Sequence, residues 1–329
     1  MADIADLAGV SKSTVSRALA DSPLVNQKTK DLIVKIAKEK NYRLNAAARN
    51  FRLKESLTIA VLLPSAKGAD WRLSDPFFLE LLGAIAEAVD DHGHQLLLSR
   101  TSPQEGQWIE EFINKRVADG VILIGQGSQH EAINRLAESY RAISVWGAKI
   151  SDDQSYPVVG SDNHLGGVRA TQYLLEKGRK KVVFLGYRDL PEIEARFTGY
   201  KDALAEQGID IDDNLVIPEK LDGGSVYSAV HDLISAGISF DAIFAVSDVH
   251  AMSAIRALQK HQLTVPGDVS VVGYDDIALA SAYNPPLTTI HQNRSVGGKI
   301  LVDNLLEALE GHKPEAISLN PELIIRESA

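Results

Sequence analysis

Two successive series of alternating strands and helices are the feature of this sequence that most limits how it folds. The strand-like apolar runs of the two series lie at residues 57–63, 94–98, 120–124, 181–185, 241–246 and 269–272. Segments with helical periodicity separate them, such as Phe77–His92, Trp108–Arg116 and Arg196–Gln207. Uninterrupted apolar runs are typical of strands buried in parallel sheets with helices on both faces. The pattern therefore predicts two lobes built on doubly wound parallel sheets, with a cleft between them.

The chain is expected to cross between these lobes near Val158–Asn163 and Leu287–Asn293. The predicted boundaries are about 57–158 and 288–320 for the first lobe, and about 162–285 and 321–329 for the second. A helix at 296–309 and a short strand at 322–325 complete the pattern. A chain of 329 residues is long enough to give each lobe a core of its own.

The chain begins with a different, purely helical pattern. Ile4, Leu7 and Ala8 fall on one face of a first helix, and Gly9 ends it because glycine readily adopts the conformation of a tight turn. Ser11 stands at the N-cap position of a second helix. The residues that this second helix directs outward are Lys12, Ser13, Ser16 and Arg17. Short hydroxyls and long cations suit phosphates and base edges, so the pattern predicts a helix-turn-helix DNA reader.

A third helix is predicted from an N-cap at Asn26 to about Lys40. Its predicted buried residues are Leu32, Ile33, Ile36 and Ala37. A short helix capped by Asn45 follows, and it is too short to be stable without a partner. We therefore divide the chain into an all-α helix-turn-helix headpiece (1–44), a hinge helix and linker (45–56) and a two-lobed core (57–329).

Charge is distributed unevenly along the chain. Residues 1–55 contain 11 basic and 6 acidic residues, a net charge of +5, whereas the whole chain carries −10. A basic segment on an acidic body is typical of a DNA reader joined to a separate module. The sequence contains no cysteine, which excludes disulfides and thiolate metal sites. It shows neither a membrane-spanning apolar run nor a secretory signal pattern, so we expect a cytoplasmic, nucleoid-associated protein.

Three motifs resemble the LacI/GalR family of bacterial transcription regulators. They are Ala-Gly-Val-Ser-x-x-Thr-Val-Ser-Arg at residues 8–17, Asn-Tyr at 41–42, and Asn45 followed by Ala48-Arg49. The resemblance implies that the core is similar to periplasmic binding proteins. It also implies that the second helix enters the major groove, while the hinge helices of a dimer pair in the minor groove.

The same resemblance implies DNA contacts by position. Lys12 and Ser13 are expected to read bases. The expected phosphate contacts are Thr14, Ser16, Arg17, Asn26, Thr29, Tyr42 and Asn45. Ala48 is placed at the floor of the minor groove, and Phe51 stands where the family usually has a leucine that wedges between bases. Phe51 packing on the core is the alternative. The threonine that caps the family's first helix has no counterpart, which predicts a looser first turn or a shortened start.

A ligand site is predicted where strands end, because open α/β sheets bind ligands beyond the carboxyl ends of their strands. The candidate residues there are Asp75, Phe77, Phe78, Trp146, Arg196, Ser247, Asp248 and Asp275. Carboxylates and a guanidinium suit paired hydroxyls, and aromatic rings cover the apolar face of a sugar. The pattern therefore predicts a mono- or disaccharide effector. Helix capping remains the alternative role for the three aspartates, and packing between strands remains the alternative for Trp146.

The resemblance refines these roles. It implies that Phe77 or Phe78 stacks on the effector, that Arg196 anchors it, and that Asp275 accepts its hydroxyls. Ser247 or Asp248 occupies a further contact position.

Together these expectations describe a sugar-responsive repressor that binds a near-palindromic operator as a homodimer, since a hinge in the minor groove needs two copies. No catalytic triad or metal site is expected. No cofactor is expected either, because the loop at 125–130 lacks the third glycine and the acidic ribose partner of a dinucleotide site. Two alternatives remain open: a sugar-binding transport or chemoreceptor protein, and a nucleobase-responsive regulator of the same family.

Overall fold

The computed structural model describes residues 2–19, 21–40, 56–64, 74–101, 117–126, 129–218 and 223–329. The chain divides into two compact units, Met1–Ser56 and Leu57–Ala329. The helix predicted at Trp108–Arg116 and, apart from its last residue, the hinge and linker predicted at 45–56 lie outside the described residues. Within the described part of the chain, no helix has the length and apolarity that a membrane crossing requires.

Three helices form the described part of the N-terminal unit. They are α1 (Ala2–Ala8), α2 (Lys12–Leu19) and α3 (Gln27–Glu39). Gly9 has a φ of +65°, which confirms the predicted tight turn after α1. The side chain of Ser11 accepts a hydrogen bond from the backbone N–H of Thr14 at 3.1 Å, and that of Asn26 accepts one from Thr29 at 2.9 Å. Both predicted N-caps are therefore confirmed.

The core of this unit is a small cluster of apolar side chains shared by the three helices. It includes Ile4, Ala5, Val15, Ala18, Val25, Ile33, Ile36 and Ala37. Leu32 is 46% exposed, so the prediction that it is buried is wrong. Leu7, which the sequence places on the same face of α1 as Ile4, is 57% exposed. Each short helix turns only a narrow stripe toward its neighbours, and on α1 Ile4 and Ala5 already occupy that stripe.

The C-terminal unit contains two six-stranded sheets. The strands of the first are β1 (Thr58–Pro64), β2 (Gln95–Thr101), β3 (Gly120–Ile124), β4 (Ile143–Trp146), β5 (Val158–Ser161) and β11 (Ile317–Leu319). Those of the second are β6 (Val182–Leu185), β7 (Val216–Ile217), β8 (Ala242–Ala245), β9 (Ser270–Asp275), β10 (Thr288–His291) and β12 (Glu322–Ile324). The helices are α4 (Pro76–Asp91), α5 (His130–Ser139), α6 (Asn163–Glu176), α7 (Pro191–Glu206), α8 (Gly223–Ser235), α9 (Asp248–Lys260), α10 (Ala278–Ala282) and α11 (Arg294–Leu309). Both predicted α/β series are present.

The strand order is β11-β5-β4-β3-β1-β2 in the first sheet and β12-β10-β9-β8-β6-β7 in the second. Neighbouring strands are parallel except β12, which runs antiparallel to β10. The chain changes sheet after β5, after β10 and between β11 and β12. Residues 288–291 thus belong to the second sheet, although the predicted boundaries assigned them to the first lobe. Strand pairing decides this, and an apolar pattern does not specify pairing.

Helix α7 begins at Pro191, five residues before the predicted start. Proline suits the first helical position, where its missing N–H has no partner to lose. The helix packs against α6 with glycine at the contact: a Cβ on Gly199 would lie 2.1 Å from the backbone oxygen of His164. This close approach fixes α7, which carries side chains of the ligand cavity described below.

Candidate functional site

The outer face of α2 and the start of α3 present the residues that the sequence assigns to DNA. The exposed ones are Lys12, Ser13, Arg17 and Asn26, and the half-buried ones are Thr14, Ser16 and Thr29. The hydroxyl of Thr14 lies 2.8 Å from that of Ser11, so it also supports the cap of α2. The remaining assigned residues, Tyr42, Asn45, Ala48 and Phe51, lie outside the described residues. The individual DNA contacts stay predictions.

A cavity of about 560 Å³ lies between the two sheets, at the carboxyl ends of their strands. Its lining includes seven of the predicted effector residues: Asp75, Phe77, Phe78, Trp146, Arg196, Ser247 and Asp275. The eighth, Asp248, is not part of the lining. A cavity of this size suits a small organic ligand, since such sites span roughly 300–1,000 Å³.

Three aromatic rings form one wall of the cavity. The ring centroid of Phe77 lies 6.0 Å from that of Trp146 and 5.4 Å from that of Phe78. Trp146 and Phe78 are only 5% and 8% exposed, and a Cβ on Gly297 would lie 2.3 Å from the indole. Trp146 therefore packs tightly against α11 while it lines the cavity. Of the three rings, half-buried Phe77 is the most accessible to a ligand.

Arg196 is held rigidly at the second lobe. Its Nε donates to Asn163 Oδ1 at 2.8 Å, and its Nη1 donates to the backbone oxygen of Val246 at 2.6 Å. The guanidinium carbon lies 3.6 Å from the ring centroid of Tyr274. These bonds use two of the five N–H donors, so the guanidinium is fixed in position without being saturated.

Asp275 ends β9 with a backbone φ of +111°, a conformation that residues other than glycine rarely adopt. The amide of Gln292 donates to its Oδ1 at 2.5 Å. The guanidinium of Arg294 donates to the backbone oxygens of Asp275 and Asp276 and pairs with Glu80 at 2.6 Å. These contacts hold the strained residue in place. Burial raises the pKa of Asp275 to about 7, so near neutral pH this carboxyl can either accept or donate a hydrogen bond.

Asp75 has both roles that the sequence left open. Its Oδ1 accepts a hydrogen bond from the backbone N–H of Phe77 at 2.9 Å and so caps α4, while the side chain also lines the cavity. Burial raises its pKa. Ser247 is similar: it caps α9 by accepting from the N–H of His250 at 3.2 Å, and it lines the cavity.

Asp248 is a structural carboxylate, which differs from the predicted effector contact. It is fully buried and accepts hydrogen bonds from the N–H of Ile277 at 2.8 Å and the hydroxyl of Thr289 at 2.5 Å. Burial and the nearby carboxyl of Asp275 raise its pKa well above the ordinary range. It therefore joins the start of α9 to β10 instead of facing the cavity.

Some lining residues were not predicted from the sequence. Glu192 lies in the first turn of α7, Gln292 follows β10, and Asn163 begins α6. The proline at 191 was an available signal for the helix start that brings Glu192 to the cavity. Gln292 had no signal of this kind, because its position depends on strand pairing.

The two units define a class of protein: a ligand-binding two-lobed core carried on the same chain as a helix-turn-helix DNA reader. Residues 1–45 match the family described as bacterial regulatory proteins, lacI family, and residues 171–329 match a periplasmic binding protein-like domain.

The HTH-type transcriptional regulator MalR of Clostridium butyricum is 32% identical over 99% of this chain and 98% of its own length. The ribose operon repressor of Escherichia coli K12 is 30% identical over 100% of this chain and 99% of its own length. A solved structure, a transcriptional regulator CelR–cellobiose complex, is 27% identical with a TM-score of 0.74 and covers 99% of this chain and 98% of its own.

The chain belongs to the LacI family of bacterial regulatory proteins. It is a DNA-binding transcription regulator and not an enzyme, which confirms the predicted class.

Proposed function

We propose that this protein is a repressor that binds a near-palindromic operator as a homodimer, and that a small sugar in the core cavity sets its operator affinity. The observation that carries the sugar assignment is the composition of the cavity. It joins an aromatic wall to carboxyls and a fixed guanidinium, which suits the apolar face and the paired hydroxyls of a sugar ring. The names of the ribose operon repressor and of the CelR–cellobiose complex support the same class of effector.

The proposed mechanism couples the cavity to the hinge. A sugar that contacts Asp75 on one lobe and Arg196 on the other stabilises the closed cleft, because only that state satisfies both contacts. In the proposed dimer, the change separates the two hinge segments at 45–51, and their contacts in the minor groove are lost. A coupling free energy of about 1–3 kcal/mol is usual for such switches. A regulator of this kind acts on chromosomal DNA, so we propose that it works in the cytoplasm at the nucleoid.

The test is operator affinity measured against a panel of mono- and disaccharides, with an operator selected from a random duplex library. We expect at least one sugar to change the affinity by about 5–150-fold, the range that this coupling corresponds to. A variant lacking residues 1–56 is expected to bind the same sugar but no operator. A response to none of the sugars would contradict the assigned effector class, and failure to select any duplex would contradict operator binding.

A further inference from the structure

The side chain of Glu80 joins the two lobes. It lies on α4, whose buried face packs on the first sheet and whose N-terminal end lines the cavity. One of its carboxylate oxygens, Oε1, accepts a hydrogen bond from the backbone N–H of Ala278 at 2.9 Å. Ala278 begins α10, and its neighbours Ile277 and Ala280 belong to the apolar core of the second lobe. This hydrogen bond therefore runs from the first lobe to the second.

The start of α10 needs an acceptor of this kind. The first N–H groups of a helix have no partner within the helix, so they bind an acceptor from elsewhere. The N-cap residue of α10 is Ile277, whose side chain has no acceptor. Asp248 of the second lobe accepts from the N–H of Ile277, and Glu80 of the first lobe accepts from the next N–H. The start of α10 is thus satisfied in part by the other lobe.

Arg294 makes a second link between the lobes through the same glutamate. Its guanidinium donates to Glu80 Oε2 at 2.6 Å, to the backbone oxygen of Asp276 at 2.8 Å and to that of Asp275. Arg294 begins α11, which packs on the first sheet, whereas Asp275 ends β9 of the second sheet. One ion pair therefore connects the end of β9 to α4.

This network relates two predicted ligand contacts that lie on different lobes. Phe77 lies three residues before Glu80 on α4, and its ring centroid is 5.8 Å from the guanidinium carbon of Arg294. On the other lobe, Asp275 and Asp276 have φ values of +111° and +54°, so this strained segment depends on the bonds that hold it. A site whose two halves are already aligned loses less free energy on binding than one whose lobes move independently.

We propose that Glu80 is a positioning residue of the effector site, which holds the lobes in the arrangement where Phe77 and Asp275 bind the same ligand. This inference rests on the proposed sugar effector and adds to it a residue outside the cavity lining. Glu80 acts through Ala278 and Arg294 and increases the fraction of the protein that is competent to bind. Its loss lowers the apparent affinity by the factor by which that fraction falls.

The test is calorimetric binding of ribose, glucose and cellobiose to the full chain and to its variants. We expect Glu80→Ala to weaken the binding of a recognised sugar by about 10-fold, the usual scale for a lost hydrogen bond to a charged group. Glu80→Gln keeps an oxygen for the N–H of Ala278 but loses the ion pair, so its affinity should lie between the two. This smaller loss tests the same role if Glu80→Ala does not fold.

Glu194→Ala is the matched control. Glu194 lies near the start of α7, which also lines the cavity, and it pairs with Arg188 at 2.7 and 3.0 Å. Both partners belong to the second lobe, and neither lines the cavity. Glu194→Ala therefore removes an ion pair without unlinking the lobes, and we expect it to leave the sugar affinity unchanged.

Amide hydrogen exchange tests the link itself, with or without a sugar. The peptide that contains Ala278 should exchange faster in Glu80→Ala, whereas strand β8 of the same lobe should exchange as in the unsubstituted chain. Unchanged exchange at Ala278 would overturn the link between the lobes.

The binding results separate this inference from the proposed effector. A sugar that binds Glu80→Ala as tightly as the unsubstituted chain would overturn the role of Glu80 and leave the effector class in place. An equal loss in Glu80→Ala and Glu194→Ala would also overturn that role, because it would reflect stability alone. Binding of no sugar by the unsubstituted chain, in this panel and in the wider panel above, would overturn the effector class and this inference with it.

Discussion

The contact between α6 and α7 leads to a sharp prediction for Gly199→Ala. The new Cβ would lie 2.1 Å from the backbone oxygen of His164 and 2.7 Å from the backbone nitrogen of Val168. Ordinary van der Waals contact begins at about 3.4 Å, so the two helix backbones must move apart by about 1 Å. Neither neighbour is a flexible side chain that can rotate away.

Overpacking of this kind costs about 1–3 kcal/mol, and improved helix propensity returns at most about 1 kcal/mol. Because the contact involves two backbones, we expect a net loss of about 2 kcal/mol. At about 2–4 °C per kcal/mol for a domain of this size, the core should melt about 4–8 °C lower. Sugar binding should weaken as well, since Arg196 lies one turn before Gly199 on the same helix.

Gly83→Ala is the matched control. Gly83 lies inside α4, and no atom comes within 4 Å of a Cβ at that position. There the same substitution gains helix propensity without a clash, so it should raise stability by about 0.5–1 kcal/mol. Melting of both variants of the full chain, followed by circular dichroism, is the assay. If Gly199→Ala melts at or above the temperature of the unsubstituted protein, the close-packing argument is refuted.

Three further predictions concern a titrating group, an ion pair and a cap. Burial raises the pKa of Asp275 to about 7 from an ordinary 3.8, so between these values the folded core holds a proton that the unfolded chain has released, and the stability that this proton contributes falls as pH rises from about 4 to 7. Asp275→Asn should remove this contribution to the pH dependence of the melting temperature, and an unchanged pH dependence would contradict the prediction. Arg294→Met leaves the carboxylate of Glu80 without its cation and should cost about 2–4 kcal/mol in chemical denaturation, and Glu80→Gln added to it should recover part of this loss. A loss below about 1 kcal/mol would contradict the contribution of the ion pair. Asn26→Ala removes the cap of α3 and should cost about 1 kcal/mol, seen as about fivefold faster amide exchange at Thr29, whereas Asn26→Ser should retain protection.

Helix caps and turns were predictable from the sequence, because the groups that interact in them lie within a few residues of one another. The caps at Ser11 and Asn26 and the turn at Gly9 follow from the sequence because each depends only on its own helix end. The two α/β series were predictable for a similar reason, since a buried parallel strand needs an apolar run whatever it pairs with. These elements together determined the fold class.

Long-range packing decided what the local pattern left open. Asp248 and Asp275 both stand at the end of a strand, yet β10 and Ile277 enclose the first while the second faces the cavity. Glu192 reaches the cavity because α7 packs on α6 through Gly199, and no nearby residue signals that contact. The sequence by itself therefore determined which residues form strands, helices and caps. The tertiary structure alone decided which polar side chains face the ligand, because burial and hydrogen bonding depend on elements far apart in the chain.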